Sequence, residues 1–373
     1  MITGQPVGTF DPAKIPSLAS LADPLEDPAW KRWLGLALFH VCQHIPAAKC
    51  CLQRVGLRTH HSWFAGRLAH VRLPNGRVLK LATFGHNYLS FQLFWRGLDY
   101  YEPVTRRVCE NLLTPGDTFV DCGAQVGFFS LVLSLMKPGI SVIAFEPNPR
   151  NFWLLVHNVV CNRLENVRCE SIAISDTDGT ASLYLAESDM SASLFSNFEA
   201  DSRTTVTVPT TTIDSYFESR PPKGNLVMKV DVEGAEEKLF AGAVRTIGRY
   251  RPDIICEVAS PIPPDAVGFL KELGYVFYQI ADDGLRPGET LHPNVRGDLF
   301  FLNYLLSARP VQEVVDLFVR IQPGLRHINF RNTSKWVCAA HLDRAQRRPV
   351  ADKAQDCFIK ATQTSAQSSV ADR

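Results

Sequence analysis

No stretch of this 373-residue chain approaches the roughly 20 consecutive apolar residues that a membrane-spanning helix needs. The longest candidate, Trp33 to Cys42, is half that length. Net charge is nearly absent as well: 39 Lys and Arg stand against 38 Asp and Glu, a formal +1. So balanced a chain has no broad electrostatic footprint for a nucleic-acid backbone or an anionic membrane. The N-terminus, MITGQPVGTFDPAKIPSL, lacks a charged start followed by an apolar core and does not read as a secretory signal. Ten cysteines are present, but none forms a CxxC pair and no CxxC…HxxxH spacing occurs, which argues against a structural zinc site. Several lie in apolar runs, such as Cys122 in FVDCGA and Cys256 in DIICEV, and read as small buried hydrophobes of a reduced compartment. A cytoplasmic protein with no transmembrane segment and no nucleic-acid partner is expected.

What the chain does have is a core. Apolar residues make up 46% and charged residues 21%, so a folded protein of one or two domains is expected. Residues 1 to about 28 are rich in Pro, Asp and Ser, and Trp30–Cys51 carries apolar residues at helical spacing. Two strand-like runs between Ala69 and Phe84 flank Asn75-Gly76, the signature of a tight hairpin. A helical stretch over Tyr101–Leu113 ends at Pro115-Gly116. Short apolar runs then alternate with helical segments. The runs are Thr118–Cys122, Ser141–Phe145, Val167–Ile174, Leu226–Asp231, Ile254–Val258 and Tyr275–Ile280; the helices are Val126–Leu135, Pro149–Asn162, Ala235–Ile247 and Asp265–Leu273. Such βαβ alternation predicts an α/β fold with a mostly parallel sheet flanked by helices. Between Ile174 and Leu226 no helix-length apolar period appears; TASLYLA and TTVTVPTTTI alternate instead, which predicts a β insertion at about 175–225. Gly297–Leu302 reads as a last strand and Arg309–Arg320 as a helix behind it. From about Asp343 the chain is polar, a composition typical of disordered tails.

Chemistry concentrates in TFVDCGAQVGFFSLVLSL. An apolar strand ends in Asp121, and the turn Gly123-Ala124-Gln125-Val126-Gly127 opens a helix. Glycines there permit positive φ and close backbone approach at the sheet's C-terminal edge, and so would bring main-chain amides to a ligand. The next run, VIAFEPNP, ends in Glu146, 146 − 121 = 25 residues on, followed by Pro147. A carboxylate at the end of the second strand suits the two hydroxyls of a ribose, so a nucleoside-containing cofactor is implied. A dinucleotide requires G-x-G-x-x-G, and the position of the second glycine is taken by Gln125, which would obstruct a pyrophosphate. S-adenosylmethionine, which has no phosphate, tolerates it, and Asp121 is placed to hold the amino group of its methionine part. The bland reading is that Gly123 and Gly127 only make a tight strand-to-helix turn.

FVDCGAQVGFFS, FEPNPRNFWLLVHNVVCN, MKVDVEGAEEKLFAGA and RPDIICEV, in that order and spacing, resemble the FkbM-type methyltransferases. These are class I S-adenosylmethionine-dependent enzymes, many of which act on hydroxyl groups of sugars or natural products. The resemblance runs from about Ala69 to about Asn303. It implies a Rossmann-like class I methyltransferase with a seven-stranded sheet, a β insertion after the third strand and an N-terminal helical and hairpin extension. It implies that Asp121, Gly123, Ala124, Gln125 and Gly127 form the cofactor loop and that Glu146, with Pro147, meets the ribose. The adenine would pack near Ile172 and Ala173. The family loop usually has Asn where this chain has Gln125, which keeps the amide and adds one methylene.

On the strand MKVDVEGAE, side chains alternate, so Lys229, Asp231 and Glu233 start on one face. Three charges in one register make sense where the strand gives way to the next helix, the edge at which ligands of open α/β sheets meet. Asp231, Lys229 and Glu233 are therefore the catalytic candidates, with Asp231, Glu233 and the histidines offered as a general base. The competing reading makes Lys229 and Asp231 a structural ion pair, joined by Glu257 on the adjacent strand. Glu102, ahead of the first strand, and Ser191 and Ser193, in the insertion, are the candidates on the substrate side, for a small-molecule or glycan acceptor. Asp231 ends the fourth strand, where some methyltransferases of this class bind Mg²⁺, but no further acid pair has a convincing spacing, so no metal is expected.

The expected organisation is an N-terminal extension over 1–68, a methyltransferase domain over 69–305, a C-terminal helical extension over 306–342 and a polar tail over 343–373. The function expected is S-adenosylmethionine-dependent transfer of a methyl group to a hydroxyl oxygen. A non-catalytic binding module of the same fold and a nicotinamide-dependent oxidoreductase are the alternatives.

Overall fold

A computed structural model describes residues 37–38, 40–45, 67–83, 88–185, 192–193, 204–258, 260–281, 284–296, 299–301 and 303–325. The chain divides into two compact units, Met1–Val71 with Lys80–Gly97, and Arg72–Leu79 with Leu98–Arg373.

The first unit contains a helical stretch at 40–44 and most of a two-stranded sheet, β1 (Leu68–Arg72) and β2 (Val78–Ala82). Helix α1 (Tyr88–Arg96) follows, and Cys42, Ala69, Phe94 and Trp95 form a small core with Phe91 packed against it. The Asn-Gly hairpin is present, but its turn is not the two-residue kind. Pro74 holds φ negative at the first turn position, which excludes the mirror-image turns. Leu73 O accepts from Gly76 N at 3.0 Å, Leu73 N donates to Arg77 O at 2.9 Å, and Gly76 takes the left-handed position at φ 83°.

The second unit begins its regular structure with α2 (Pro103–Leu112) and continues through β3 (Thr118–Cys122), α3 (Phe128–Met136), β4 (Ser141–Phe145), α4 (Pro149–Asn162) and β5 (Val167–Glu170). Helix α3 is buried along nearly its whole length, as a helix apolar all round must be. Helix α4 starts where Asn148 Oδ1 accepts from Arg150 N at 3.0 Å with Pro149 in the first turn, and it ends at Arg163 in the left-handed region. The insertion follows as β6 (Ala173–Ile174), β7 (Gly179–Leu185), β8 (Ala192–Ser193) and β9 (Thr204–Thr211), a separate four-stranded sheet in the order β6-β9-β7-β8. Helix α5 (Ile213–Ser219) was not expected; at seven residues it is shorter than an apolar period can reveal.

Then come β10 (Leu226–Val230), α6 (Glu236–Ala241), α7 (Val244–Tyr250), β11 (Asp253–Glu257), α8 (Gly268–Glu272), β12 (Val276–Ala281), β13 (Gly284–Gly288), β14 (Asn294–Arg296), β15 (Leu299–Phe301), β16 (Asn303–Ser307) and α9 (Val311–Leu325). The one helix expected over Ala235–Ile247 is two, broken at Gly242, where a Cβ would lie 2.2 Å from the Ser175 carbonyl oxygen. The last strand of the main sheet is β16, just beyond the expected Gly297–Leu302, whose β15 pairs with β14 instead.

The main sheet runs β13-β12-β16-β11-β10-β3-β4-β5. Along β5-β4-β3-β10-β11 every pairing is parallel, while β16 is antiparallel to both β11 and β12. This is the expected mostly parallel seven-stranded, Rossmann-like α/β sheet, with β13 added as an eighth edge strand. One sheet face, carrying Val120, Cys122, Met228, Val230, Ile254 and Cys256, buries the main core with residues of α5, α6 and α8. Alternate residues, among them Asp121 and Lys229, point to the other face. Free Cys122 and Cys256 are buried, as expected of small hydrophobes. Among the described residues no helix is long and apolar enough to cross a membrane.

Candidate functional site

The strand order reverses between β3 and β10, and ligands of open α/β sheets bind outside the C-terminal ends of strands at such a point. The chain leaves β3 through Gly123 (φ 84°), Gln125 (φ 51°) and Gly127 (φ 89°) before α3 begins. Gly123 is demanded by space as well as conformation: a Cβ there would lie 1.8 Å from the Asp231 carbonyl oxygen. The loop's amides are engaged within the protein. Gly123 N and Ala124 N donate to Phe145 O at 3.0 and 2.9 Å, and Gly127 N donates to Ala124 O at 2.7 Å. Gln125 N donates to Glu146 Oε2 at 2.7 Å, and Asn148 N donates to Glu146 Oε1 at 2.8 Å.

Glu146 is therefore fixed beside the loop, with about half of its carboxylate's roughly four acceptor positions used. Burial pushes its carboxyl up to about 7, against the two N–H bonds, which favour the anion. Pro147, half-buried, leads from it to the cap of α4. Glu146 N donates to Glu170 O at 3.0 Å, so the chain leaves β5 for Ile172 and Ala173 alongside the acid. Ile172 packs against the main core, and Ala173 pairs with Thr210 of β9. Three separate segments, 123–127, 146–147 and 171–173, are thus brought to one corner of the sheet.

Asp121 is buried and faces α3, where Ser130 N and Oγ donate to its Oδ2 at 3.1 and 2.6 Å. Burial raises its pKa, while the Lys229 ammonium and Ser130 pull it down. Ser130 was not anticipated; its only trace in the sequence is a hydroxyl nine residues after the acid, in the GFFS that opens α3.

Across the switch point, Lys229 stands opposite Asp121 in the β10–β3 register. It is buried, donates to Asp231 Oδ2 at 2.7 Å and lies 4.8 Å from the centre of the Phe129 ring. Burial opposes its charge, but Asp231, Glu102 and Glu257 hold its pKa well above the usual lysine value. Asp231 N donates to Cys122 O at 3.0 Å, which ties the start of the DVEGA turn to the end of β3, beside the 123–127 loop. Glu233 (φ 50°) and Gly234 (φ 96°) turn the chain from β10 into α6. Gly234 N donates to Glu236 Oε1 at 3.0 Å, and burial pushes the Glu236 carboxyl up to about 7.

Glu102 caps α2 from the left-handed region (φ 39°) and accepts from Asn303 Nδ2 at 3.2 Å. Burial raises its pKa and Lys229 opposes the rise. The neighbouring Tyr101 sets its ring edge-on against Phe128 and Phe129, and burial followed by the Glu102 charge raises its hydroxyl's pKa. Asn303 in turn pairs with Glu257 at the end of β11. Burial, then Asp231 and Glu102, push the Glu257 carboxyl up to about 9. Lys229 and Asp231 are therefore an ion pair with Glu257 nearby, inside a larger cluster that reaches Glu102. Ser193 lies on β8 opposite Tyr184, and Ser191 lies outside the described residues. Among the described residues no group of three or more His, Cys, Asp or Glu is disposed to hold a metal ion.

A family model described as the methyltransferase FkbM domain matches residues 121–277. The chain is 36% identical over 132 residues to the 31-O-demethyl-FK506 methyltransferase FkbM of Streptomyces tacrolimicus, a match covering 35% of this chain and 46% of that relative. The chain thus spans about half the length of this relative. Among solved structures, an FkbM methyltransferase of Methylobacillus flagellatus KT aligns at 18% identity over 46% of this chain and 42% of that one, with a TM-score of 0.30. A SAM-dependent O-methyltransferase of Thermotoga maritima aligns at 12% identity over 65% of this chain and 78% of that one, also with a TM-score of 0.30.

Proposed function

We propose, from the match of residues 121–277 to the methyltransferase FkbM domain, that the chain transfers a methyl group from S-adenosylmethionine to a hydroxyl oxygen of a sugar or natural-product acceptor. The reading is carried by Glu146, a buried acid at the end of β4 with acceptor capacity left over for hydroxyls, set beside a loop whose amides are already engaged. A ribose finds its acceptor there, whereas a pyrophosphate would have to compete for the amides of residues 123, 124, 125 and 127. That observation, with Gln125 in place of a glycine, weighs against the nicotinamide alternative. O-methylation draws its support from the Streptomyces tacrolimicus relative, a 31-O-demethyl-FK506 methyltransferase.

In this reading Glu146 accepts the ribose hydroxyls, Ile172 and Ala173 flank the adenine, and the 123–127 loop closes over the methionine part. The cofactor supplies a methyl group activated on a sulfonium, so the protein's share is chiefly to place the acceptor oxygen in line. The reading assigns Lys229, Asp231 and Glu233 to the reacting end, and Glu102, Ser191 and Ser193 to the acceptor. Titration calorimetry with S-adenosylmethionine tests the cofactor: binding is expected, and none at millimolar concentration overturns the proposal. Formation of S-adenosylhomocysteine with hydroxyl-bearing but not amine-bearing acceptors tests the reaction.

A further inference from the structure

The β10–β11 register pairs Val230 with Cys256, and its next step sets Asp231 beside Glu257. The β11–β16 register sets Glu257 beside Asn303. Neighbouring strands lie about 4.7–4.9 Å apart, so the sheet lays Asp231, Glu257 and Asn303 in a row at the C-terminal edge of β10 and β11. Glu102 closes the row through its bond from Asn303 Nδ2. The other end of that amide, Asn303 Oδ1, is buried without a hydrogen-bond partner. The row is thus rich in acceptors and carboxyls, with Lys229 as its counter-ion.

We propose that Glu257 is the general base of the reaction, and that it becomes one only when a sulfonium stands beside the row. The proposal rests on the cofactor reading above. Without a ligand the groups facing Glu257 are Asp231 and Lys229 from β10, Glu233 from the turn after it, Glu102 from the start of α2 and the neutral Asn303 from β16. Burial first, and then their negative balance, keep the proton on Glu257 at neutral pH. A positive charge brought against the row reverses that preference, so Glu257 gives its proton to solvent as the sulfonium binds. The resulting carboxylate takes the acceptor hydroxyl's proton as the oxygen–methyl bond forms and the carbon–sulfur bond breaks, with that bond's electron pair left on sulfur. The sulfur is then neutral, and Glu257 returns to its protonated resting form. One residue thus senses the charge that disappears in the reaction and stores the proton the reaction releases.

The test counts protons and needs no acceptor. The full chain is titrated with S-adenosylmethionine and with S-adenosylhomocysteine in two buffers of different ionisation enthalpy, near about pH 7.5. Both ligands carry the ribose and the amino group, so proton changes at Glu146 cancel between them. Wild type is expected to release about one proton more with the sulfonium than with the thioether. Glu257→Gln, isosteric with the neutral acid, is expected to bind both ligands with equal proton counts. Equal counts in wild type, or a difference that survives in Glu257→Gln, overturns the proposal. If the variant does not fold, wild type decides: the difference must fade as pH rises past about 9, and a difference constant with pH rejects Glu257. Failure to bind either ligand rejects the cofactor reading itself.

Discussion

The two ends of the parallel strands handle buried acid in opposite ways. At the N-terminal ends, Asp117 Oδ1 accepts from Asn225 N and Nδ2 at 2.8 and 3.1 Å, and its Oδ2 accepts from Thr114 N and Oγ1, both at 2.8 Å. Asp253 accepts from Ser307 Oγ at 2.6 Å and Arg309 Nε at 2.8 Å. Each carboxylate there has its donors, and the networks bind neighbouring strands together. At the C-terminal ends, Glu102, Asp231 and Glu257 gather round Lys229 with acceptors in excess of donors. The contrast separates two settings of one chemical group: a matched acid ties strands together, whereas the cluster at the other end holds three carboxyl groups round a single lysine.

The largest test of that contrast is Lys229→Met, which strips the acid cluster of its counter-ion. A loss of about 3–5 kcal/mol in denaturant unfolding is expected, as for other broken buried pairs; a loss below about 1 kcal/mol would show that the acids do not depend on it. Next is Asp117→Ala, which orphans the Thr114 and Asn225 donors. It should cost about 2–3 kcal/mol while leaving cofactor affinity within about twofold. A tenfold loss of affinity would erase the distinction between the two ends. Glu146→Gln should lean the other way, weakening S-adenosylmethionine binding about tenfold, roughly 1.4 kcal/mol, with a smaller loss of stability, about 1 kcal/mol, because its NH2 group meets one of the two backbone donors of Gln125 and Asn148.

A further test is the pH dependence of stability. Glu146 and Glu236 at about 7 and Glu257 at about 9 all titrate above the ordinary carboxylate value. In each the folded state binds the proton more tightly than the unfolded chain. The associated stability is full below the unfolded pKa of about 4.5 and is lost as pH rises through the folded value. Melting temperature should therefore fall between about pH 5 and 9, and less steeply in Glu257→Gln. Parallel curves for the two proteins would remove Glu257 from the cluster.

Much of the fold was legible because its strands bury both faces and appear as unbroken apolar runs. Thr118–Cys122, Ser141–Phe145 and Pro149–Asn162 coincide with β3, β4 and α4. What escaped was set by contacts distant in sequence. The Gly242 break depends on Ser175, and the placement of the last strand depends on β16 entering between β11 and β12. At the site, Glu146 and the 123–127 turn were readable because position along a strand nearly determines their place. Glu257 could be seen as a neighbour of the Lys229 pair. The part of Asn303 could not be foreseen, because it exists only through antiparallel pairing with β11 and a bond to a residue 201 positions away.

The insertion has a further consequence. Ala173 and Ile174 pair with Thr210 and Thr211, so the chain leaves the corner of the main sheet and returns to it one strand spacing away. Asp178 Oδ1 fastens the return, accepting from Thr212 N at 2.9 Å and Thr211 Oγ1 at 2.8 Å. A segment whose two ends are tied side by side behaves as an exchangeable cassette: its length can change at little cost in closure entropy without moving the strands that hold Glu146 and Asp231. Exchanging residues 179–209 between relatives would therefore ask whether the insertion sets the acceptor without disturbing the sheet that carries Glu146.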